Sequence, residues 1–425
     1  MRYDLVVAGG GPAGSAAAWR AATTGARVLV CDKARFPRDK PCGDGLTPRA
    51  VASIAALGLE NELKKFNRIE KLRVHGAGRT LTFDWPRSDS FPDHGYVVAR
   101  TDLDEMLLRH AQEAGAEVRE ETAVRAPIVE GGRVRGLVVT SNGSDEEVRG
   151  PVVIAADGAS SRVSRAVGMV MDDRRPMGLA VRAHFDARRP AADDGVIESF
   201  LELRDRGGAG GLPPRDEALL PGYGWIFPMG SSRINVGVGI LSTYKLWREV
   251  NTAHLMEAFM RSMPASWDLP DISALRASGQ LKGWRLPMGL GVRPPWRRGV
   301  IACGDAAGVV NPFNGEGISE AVESGVVGAE VALGAVDGHG PDDLSAYAER
   351  LEELWGPYYR LGRTFVRLIG RPAIMRTLTT VGMRVPPVME FAFKLLANLY
   401  REEGGSFGDG LVRLMLGTAG AIRVG

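Results

Sequence analysis

Short apolar runs, each closed by a glycine or an acidic residue, recur at widely separated places along this chain. The first is Leu5–Ala8. Apolar residues without polar alternation predict a strand buried on both faces, as in a parallel sheet. A turn of glycines follows, then an alanine-rich stretch, Ser15–Ala22, that predicts a helix ended by Gly25. Arg27–Cys31 predicts a second strand of the same kind. The pattern returns at Val152–Ala156 and at Gly299–Cys303, the latter leading towards a predicted helix over Ser319–Leu333. Between them, Arg100 opens a predicted helix, Thr101–Ala114, that runs into a predicted strand, Glu117–Val124. Strands alternating with helices place the chain in the α/β class.

Two segments depart from this rhythm. In Pro221–Pro228 the rings of Tyr223, Trp225 and Phe227 alternate with other residues, so a strand there puts all three on one face. Gly222 and Gly224, on the other face, leave room for something to approach closely. Such a face either packs a core or walls a ligand site. After Leu333 the pattern turns helical. Asp342–Glu353 is acidic, whereas Trp355–Tyr400 is apolar and basic, with Arg360, Arg363, Arg367, Arg371, Arg376, Arg384 and Lys394 against Glu390 alone. Phe365, Leu368 and Ile369 lie close to helical spacing, and Pro372, Pro386 and Pro387 predict a break into short helices.

Length and composition narrow the classes. A chain of 425 residues fits two or three interleaved domains. The net charge of +2, with no basic tail, gives no support to a nucleic-acid partner. Cys31, Cys42 and Cys303 lack framework spacing, which predicts a reducing cytoplasm and no structural zinc. The histidines, His75, His94, His110, His184, His254 and His339, show no metal spacing and read as surface or core residues. The N-terminus enters a strand at once, and no apolar run is long enough to span a bilayer. The chain is expected in the cytoplasm.

The turns carry the chemistry. Gly9-Gly10-Gly11-Pro12-Ala13-Gly14 satisfies G-x-G-x-x-G between a strand and a helix, and Asp32 closes the next strand. Glycines let the backbone approach a pyrophosphate at the helix N-terminus, and the acid binds a ribose hydroxyl. Two further strands end in Asp157-Gly158-Ala159-Ser160-Ser161-Arg162 and in Gly304-Asp305-Ala306-Ala307. A Gly-Asp pair at a strand end places a carboxylate over the polyol of an extended cofactor, which FAD has and NAD lacks. Asp157 also reads as an ordinary helix cap. The helix N-terminus after Asn311–Gly317 is suited to negative charge on a reduced flavin.

Together these motifs resemble the FAD-dependent hydroxylase and reductase superfamily, from the first strand to about Leu333. The resemblance implies a doubly wound FAD-binding domain, Rossmann-like and para-hydroxybenzoate hydroxylase-like. It also implies an inserted antiparallel-sheet substrate domain. The expected boundaries are 1–65, 99–175 and 291–335 for FAD, 66–98 and 176–290 for substrate, and 336–425 for a C-terminal helical region. The implied FAD contacts are Gly9, Gly11, Ala13, Gly14 and Asp32, with Arg100, Val124, Asp157, Asp305, Gly317 and Ile318. For Arg100 a helix-start ion pair with Asp104 is the competing reading.

Within that superfamily, Lys40-Pro41-Cys42-Gly43-Asp44-Gly45-Leu46 and the Tyr-x-Trp-x-Phe-Pro block of Tyr223–Pro228 resemble the geranylgeranyl reductase family. The longer runs Lys40–Arg49 and Leu220–Pro228 look particularly like its bacterial menaquinone reductases. The resemblance implies saturation of a carbon–carbon double bond in an isoprenoid lipid or quinone. Flavin hydride transfer and protonation together would accomplish it. Cys42 and Tyr223 are then candidate proton donors, and Tyr223 and Trp225 face the developing positive charge. Tyr223, Trp225 and Phe227 line the substrate, while Cys42, Gly43 and Gly45 border the cofactor. Cys42 as a small buried residue is the plainer alternative. The competing activities are an aromatic monooxygenase and a halogenase. The halogenase block, Trp-x-Trp-x-Ile-Pro, differs here at Tyr223 and Phe227. Gly207–Gly211 follows no apolar strand and reads as a flexible loop, so no second nucleotide fingerprint exists. NAD(P)H, or another electron donor, is therefore expected to bind transiently. The basic C-terminal stretch suits peripheral contact with the cytoplasmic face of a membrane, or alternatively a helical cap with solvated charges.

Overall fold

The computed structural model describes residues 3–86, 90–186, 195–204, 219–264, 267, 269, 279–338, 340–400 and 407–421. Two of the segments singled out above, Gly207–Gly211 and His339, lie outside them. The chain forms two units: 1–40, 100–175 and 286–360 make the first, and 41–99, 176–285 and 361–425 the second. The fold is an α/β Rossmann-like core with inserted antiparallel sheets and a C-terminal helical region.

In the first unit the apolar runs become the sheet they predict. Among the described residues its strand order is Trp296–Arg297, Val300–Ala302, Val152–Ala155, Leu5–Ala8, Val28–Cys31, Glu117–Arg119. The last five are parallel to one another, and Leu5–Ala8 is buried at every position. That total burial is why these strands read as unbroken apolar runs. The helices Pro12–Ala22 and Ile318–Asp337 pack against each other, brought close by small residues. Both exceed their predicted extents. The first starts at Pro12, because proline at the first helical position loses no hydrogen bond there.

The predicted strand Glu117–Val124 is in fact two strands in different sheets, Glu117–Arg119 and Ala123–Glu130. Glu121, at φ 52°, turns the chain between them. Ala123–Glu130 belongs to a three-stranded antiparallel sheet with Arg133–Ser141 and Ser144–Arg149.

The second unit is built on a sheet whose described strands run in the order Lys282–Pro287, Met177–Asp186, Arg233–Leu241, Gly222–Gly230, Val196–Phe200, Lys71–Gly76, Arg79–Asp84. Pairing is antiparallel except between Val196–Phe200 and Lys71–Gly76. The sequence Ile234-Asn235-Val236-Gly237-Val238-Gly239-Ile240 shows how its two faces differ. Ile234, Val236, Val238 and Ile240 join Val181, Ala183, Phe185 and Ile226 in one core with Leu255, Met256, Phe259 and Met260 of the helix Thr252–Ser262. The intervening residues, Asn235, Gly237 and Gly239, face the other way, beside the aromatic residues of Gly222–Gly230. A small sheet, Gly45–Leu46, Gly95–Val97 and Asn67–Ile69, completes this unit's β structure among the described residues.

The C-terminal region is helical, as its sequence predicts. Acidic and basic stretches share one helix, Ser345–Ile369, which passes through Pro357. Tyr347, Leu351, Trp355, Tyr358 and Tyr359 are buried along it, and that packing outweighs the hydrogen bond lost at proline. The prolines break the stretch as predicted: Pro372 and Pro386 begin the helices Pro372–Arg384 and Pro386–Leu396. These two helices cover the Lys71–Asp84 hairpin through Met383, Met389 and Phe393. Val366 and Ile369 are buried, whereas Leu368 is exposed.

Candidate active site

In the first unit the candidate cofactor residues gather at the C-terminal ends of the parallel strands, where open α/β sheets bind ligands. A Cβ at Gly14 would run into the Gly9 carbonyl, so the helix starts hard against the strand end. At Gly11 the space is open: its Cβ would meet only Arg38 Nη2, at 3.5 Å. Gly11 is also the helix N-cap and offers no side chain to the first turn, leaving donors for an external anion. Asp32 is buried, and its carboxylate accepts from the amides of Gly10 and Ala34, each at 2.8 Å. The acid therefore fixes the glycine turn as well as standing at the end of its strand.

The remaining first-unit candidates have visible partners. Asp305 lies in the turn Gly304–Ala306 and pairs with Lys40 at 3.2 Å. That turn abuts Ala13, since a Cβ on Gly304 would sit 3.0 Å from the Ala13 Cβ. Gly317 caps the helix that Ile318 opens. Asp157 accepts from the Arg162 amide at 2.7 Å and from the hydroxyl of Ser161, so it braces the first turn of the helix Arg162–Ala166, whose N-cap is Ser161. Arg100 forms the ion pair that the spacing allowed: its Nε and Nη2 reach Asp104, at 2.6 and 2.7 Å, and Arg38 joins at 2.9 Å. Val124 is the second residue of the strand Ala123–Glu130, and the Thr122 amide just before that strand donates to the Asp32 carbonyl at 2.8 Å.

In the second unit, two motifs far apart in sequence meet. A Cβ on Gly43 would lie 3.5 Å from Trp225 Nε1 and from Phe227 Cε2, and one on Gly45 3.1 Å from Phe227 Cε2. The three rings share a face as their spacing predicts. Trp225 lies 5.9 Å from Tyr223 and 6.1 Å from Phe227 between centroids, and Trp284 approaches edge-on at 6.3 Å. Phe227 also packs on the cluster of Ile69, Trp85 and Phe393. Cys42 is half-buried. Cys31 and Cys303 are buried among apolar neighbours, and burial pushes both thiols up to about 12.

The glycines of the aromatic strand serve a purpose other than ligand access. Gly224 faces the core, where a Cβ would collide with the Phe259 ring. The glycine that shapes the aromatic face is Gly237, directly opposite Trp225, because the indole occupies the space a side chain would need.

Sequence reasoning also missed a hydrogen-bonded cluster on this face. Asn235, wholly buried, accepts from the Trp225 indole N–H at 2.9 Å. It donates to the Cys42 carbonyl and to Asp44 Oδ2, both at 2.8 Å. His184, opposite Asn235 in register, reaches the same Asp44 oxygen at 2.7 Å. The available signal was phase: Asn235 and His184 each interrupt the apolar alternation of their strands on the face that carries the rings.

Comparison with known proteins bears on this arrangement. Residues 2–350 match the family model described as FAD binding domain. The chain belongs to this FAD-binding family. It is 36% identical over 400 residues to a menaquinone reductase of Mycobacterium tuberculosis, covering 94% of this chain and 92% of that one. It is 30% identical over 369 residues to a digeranylgeranylglycerophospholipid reductase of Methanopyrus kandleri, covering 86% and 84%. Among solved structures, a geranylgeranyl bacteriochlorophyll reductase-like protein from Thermoplasma acidophilum superimposes with TM-score 0.75 at 23% identity, covering 93% and 96%. A flavin-dependent brominase does so at 0.70 and 21%, covering 99% and 100%. The protein is thus an FAD-dependent oxidoreductase, related to menaquinone reductases and digeranylgeranylglycerophospholipid reductases. The uncapped helix N-terminus, the open space at Gly11 and the strand-end carboxylates fit FAD.

Proposed function

We propose that this protein saturates a carbon–carbon double bond of an isoprenoid chain, with the first unit binding FAD and the second the substrate. One observation carries the reading: the Cys42–Gly45 segment is seated on Trp225 and Phe227, so the two reductase-type motifs form one structure. The curated relatives include enzymes named for menaquinone and for geranylgeranyl lipid, and either tail presents the same isolated alkene. FAD, when bound and reduced, supplies the hydride. The chain supplies the rest. Cys42 Sγ or Tyr223 Oη holds the proton for the second carbon. The rings of Tyr223 and Trp225 face the carbon where positive charge develops. Gly9, Gly11, Ala13, Gly14, Asp32, Asp305, Gly317 and Ile318 are assigned to the cofactor, with Arg100, Val124 and Asp157 supporting the turns around it. NAD(P)H or a protein donor restores the reduced state.

Anaerobic turnover with a polyprenyl quinone or lipid tests the reading. The expected product gains the mass of one hydrogen molecule. A product that forms only with oxygen, or that carries new oxygen or halogen, would establish a hydroxylase or halogenase instead. Replacing Trp225 with Ala is expected to cut alkene reduction at least about tenfold while leaving the bound-flavin spectrum unchanged.

No described helix is long and apolar enough to cross a membrane. The helices Pro372–Arg384 and Pro386–Leu396 nevertheless expose Leu378, Val381, Val385 and Val388 beside exposed Arg376 and Arg384. We assign this surface to peripheral contact with an anionic membrane. Changing Val381 and Val385 to Ser is expected to weaken sedimentation with anionic vesicles roughly tenfold.

A further inference from the structure

Asp44 carries two energetic costs at one residue. It is wholly buried, yet its Oδ1 has no hydrogen-bond partner. Its backbone sits at φ 62°, a left-handed conformation unfavourable for most side chains. A buried acceptor left unpaired costs on the order of 1–3 kcal/mol. The same residue lies between Cys42-Gly43 and Gly45, and Asn235 ties it to the Cys42 carbonyl. The orientation of that amide follows from its partners, because an indole N–H only donates and a carbonyl only accepts. Both Asn235 donors and its acceptor are engaged.

We propose that Asp44 and His184 are the proton store of this site, and that Asn235 is the positioning residue that holds the store against Cys42 and Trp225. The proposal rests on the alkene-reduction reading. Each saturation breaks one carbon–carbon π bond and forms two C–H bonds. Reduced flavin, when bound, would supply one hydrogen as a hydride at the cost of its own oxidation, and a side chain of the site gives the second hydrogen as a proton. That proton has to be replaced from water. The His184 side chain is 19% exposed and that of Asp44 is fully buried, so the pair joins a wet end to a dry one. Water protonates the imidazole, its Nε2 passes a proton to the Asp44 carboxylate, and the carboxyl restores the spent donor.

Among the described residues, the other ionisable side chains on this face of the sheet are Arg79, Arg182, Asp186, Arg233, Tyr223 and Lys282. The small sheet carrying Gly45 adds Arg68 and Tyr96.

The test compares FAD-loaded wild type with Asp44→Asn, His184→Gln and Asn235→Asp. Asparagine at 44 keeps an acceptor for both partners and tolerates the left-handed backbone, so that variant removes the charge and leaves the architecture. The first readout is alkylation of Cys42 by iodoacetamide without substrate; Cys31 and Cys303 are buried and stay silent. Asn235 joins the Asp44 carboxylate to the Cys42 backbone, so removing that charge in Asp44→Asn is expected to speed alkylation about fivefold. The second is the pH profile of single-turnover alkene reduction. His184→Gln is expected to change the shape of that profile, and Asp44→Asn to slow the step at least about tenfold. Asn235→Asp has the same shape without a donor and is expected to lower kcat about tenfold with FAD still bound. Wild-type pH profiles and alkylation rates in both Asp44→Asn and His184→Gln would overturn the proposal. Should wild type reduce no polyprenyl substrate while alkylation still responds at Asp44, the alkene reading fails and the coupling of the pair to Cys42 stands.

Discussion

The candidate sites of the two units are built by different means. In the first, the site is backbone: glycines, helix N-termini and strand ends, with Asp32 bonded to the turn it follows. In the second, the site is side chain: an aromatic face locked by Asn235 to a loop nearly two hundred positions earlier in the chain. A backbone site tolerates little variation in which residues occupy its tight places, because the space is set by main-chain atoms. A side-chain site can be retuned one residue at a time. The first suits a cofactor of invariant shape, and the second a substrate that differs between relatives.

The sharpest break in that contrast is at two neighbouring glycines. Gly14→Val would drive a side chain into the Gly9 carbonyl, and main chain cannot yield as a flexible side chain does. A cost of about 3 kcal/mol or more is expected, with FAD absorbance lost from the purified protein. Gly11→Ala meets only the end of Arg38 at 3.5 Å. Its melting temperature without FAD is expected to stay within a degree or two of wild type, while FAD affinity falls roughly a hundredfold, about 2.7 kcal/mol. Unchanged FAD affinity in Gly11→Ala would remove the helix N-terminus from the cofactor site.

A smaller effect is expected at Gly237, the equivalent test in the second unit. Alanine there competes with the Trp225 indole for the same space. The ring has to tilt, which strains its hydrogen bond to Asn235. Overpacking of this kind costs about 1–3 kcal/mol. Alkene reduction is expected to fall about tenfold while the flavin spectrum stays intact. Loss of FAD instead would show that the two sites are not separable in the way their construction implies.

These two sites were unequally legible. The glycine cradle could be read because its residues are local: strand, turn, helix and acid lie within a few dozen positions and each has a stereochemical signature. The aromatic face could be read from alternation. What could not be read was the traffic between distant residues. Asn235, His184 and Asp44 become partners only once three segments are folded together, and none has a spacing that announces the others. Gly224 was misjudged for a related reason. Its absent side chain leaves room, but whether a ligand or Phe259 fills that room depends on a helix some thirty residues later. The break in Glu117–Val124 escaped notice because Glu121 takes a left-handed turn without a glycine to mark it.

The last contrast lies inside the second unit, between two buried carboxylates that each face a histidine. Glu198, on the core side of the sheet, is fully partnered: Arg73 reaches Oε1 at 2.6 Å and His75 reaches Oε2 at 3.0 Å. Burial alone would raise its pKa, but the hydrogen bonds from His75 and Arg73 outweigh that and hold it below the usual carboxylate range. A depressed carboxyl stabilises the fold above its unfolded pKa, and that contribution is lost as pH falls through the folded value. Glu198→Gln is therefore expected to cost about 1–3 kcal/mol at neutral pH, with the gap to wild type narrowing below about pH 4. Denaturant melts at neutral and acid pH measure this directly, and alkene reduction by the surviving fold is expected to match wild type. Asp44→Asn should do the reverse, sparing stability and slowing turnover, because one of its oxygens has no partner to lose. If both variants lost stability and neither lost rate, the unpaired oxygen of Asp44 would be a packing accident and the two carboxylates equivalent.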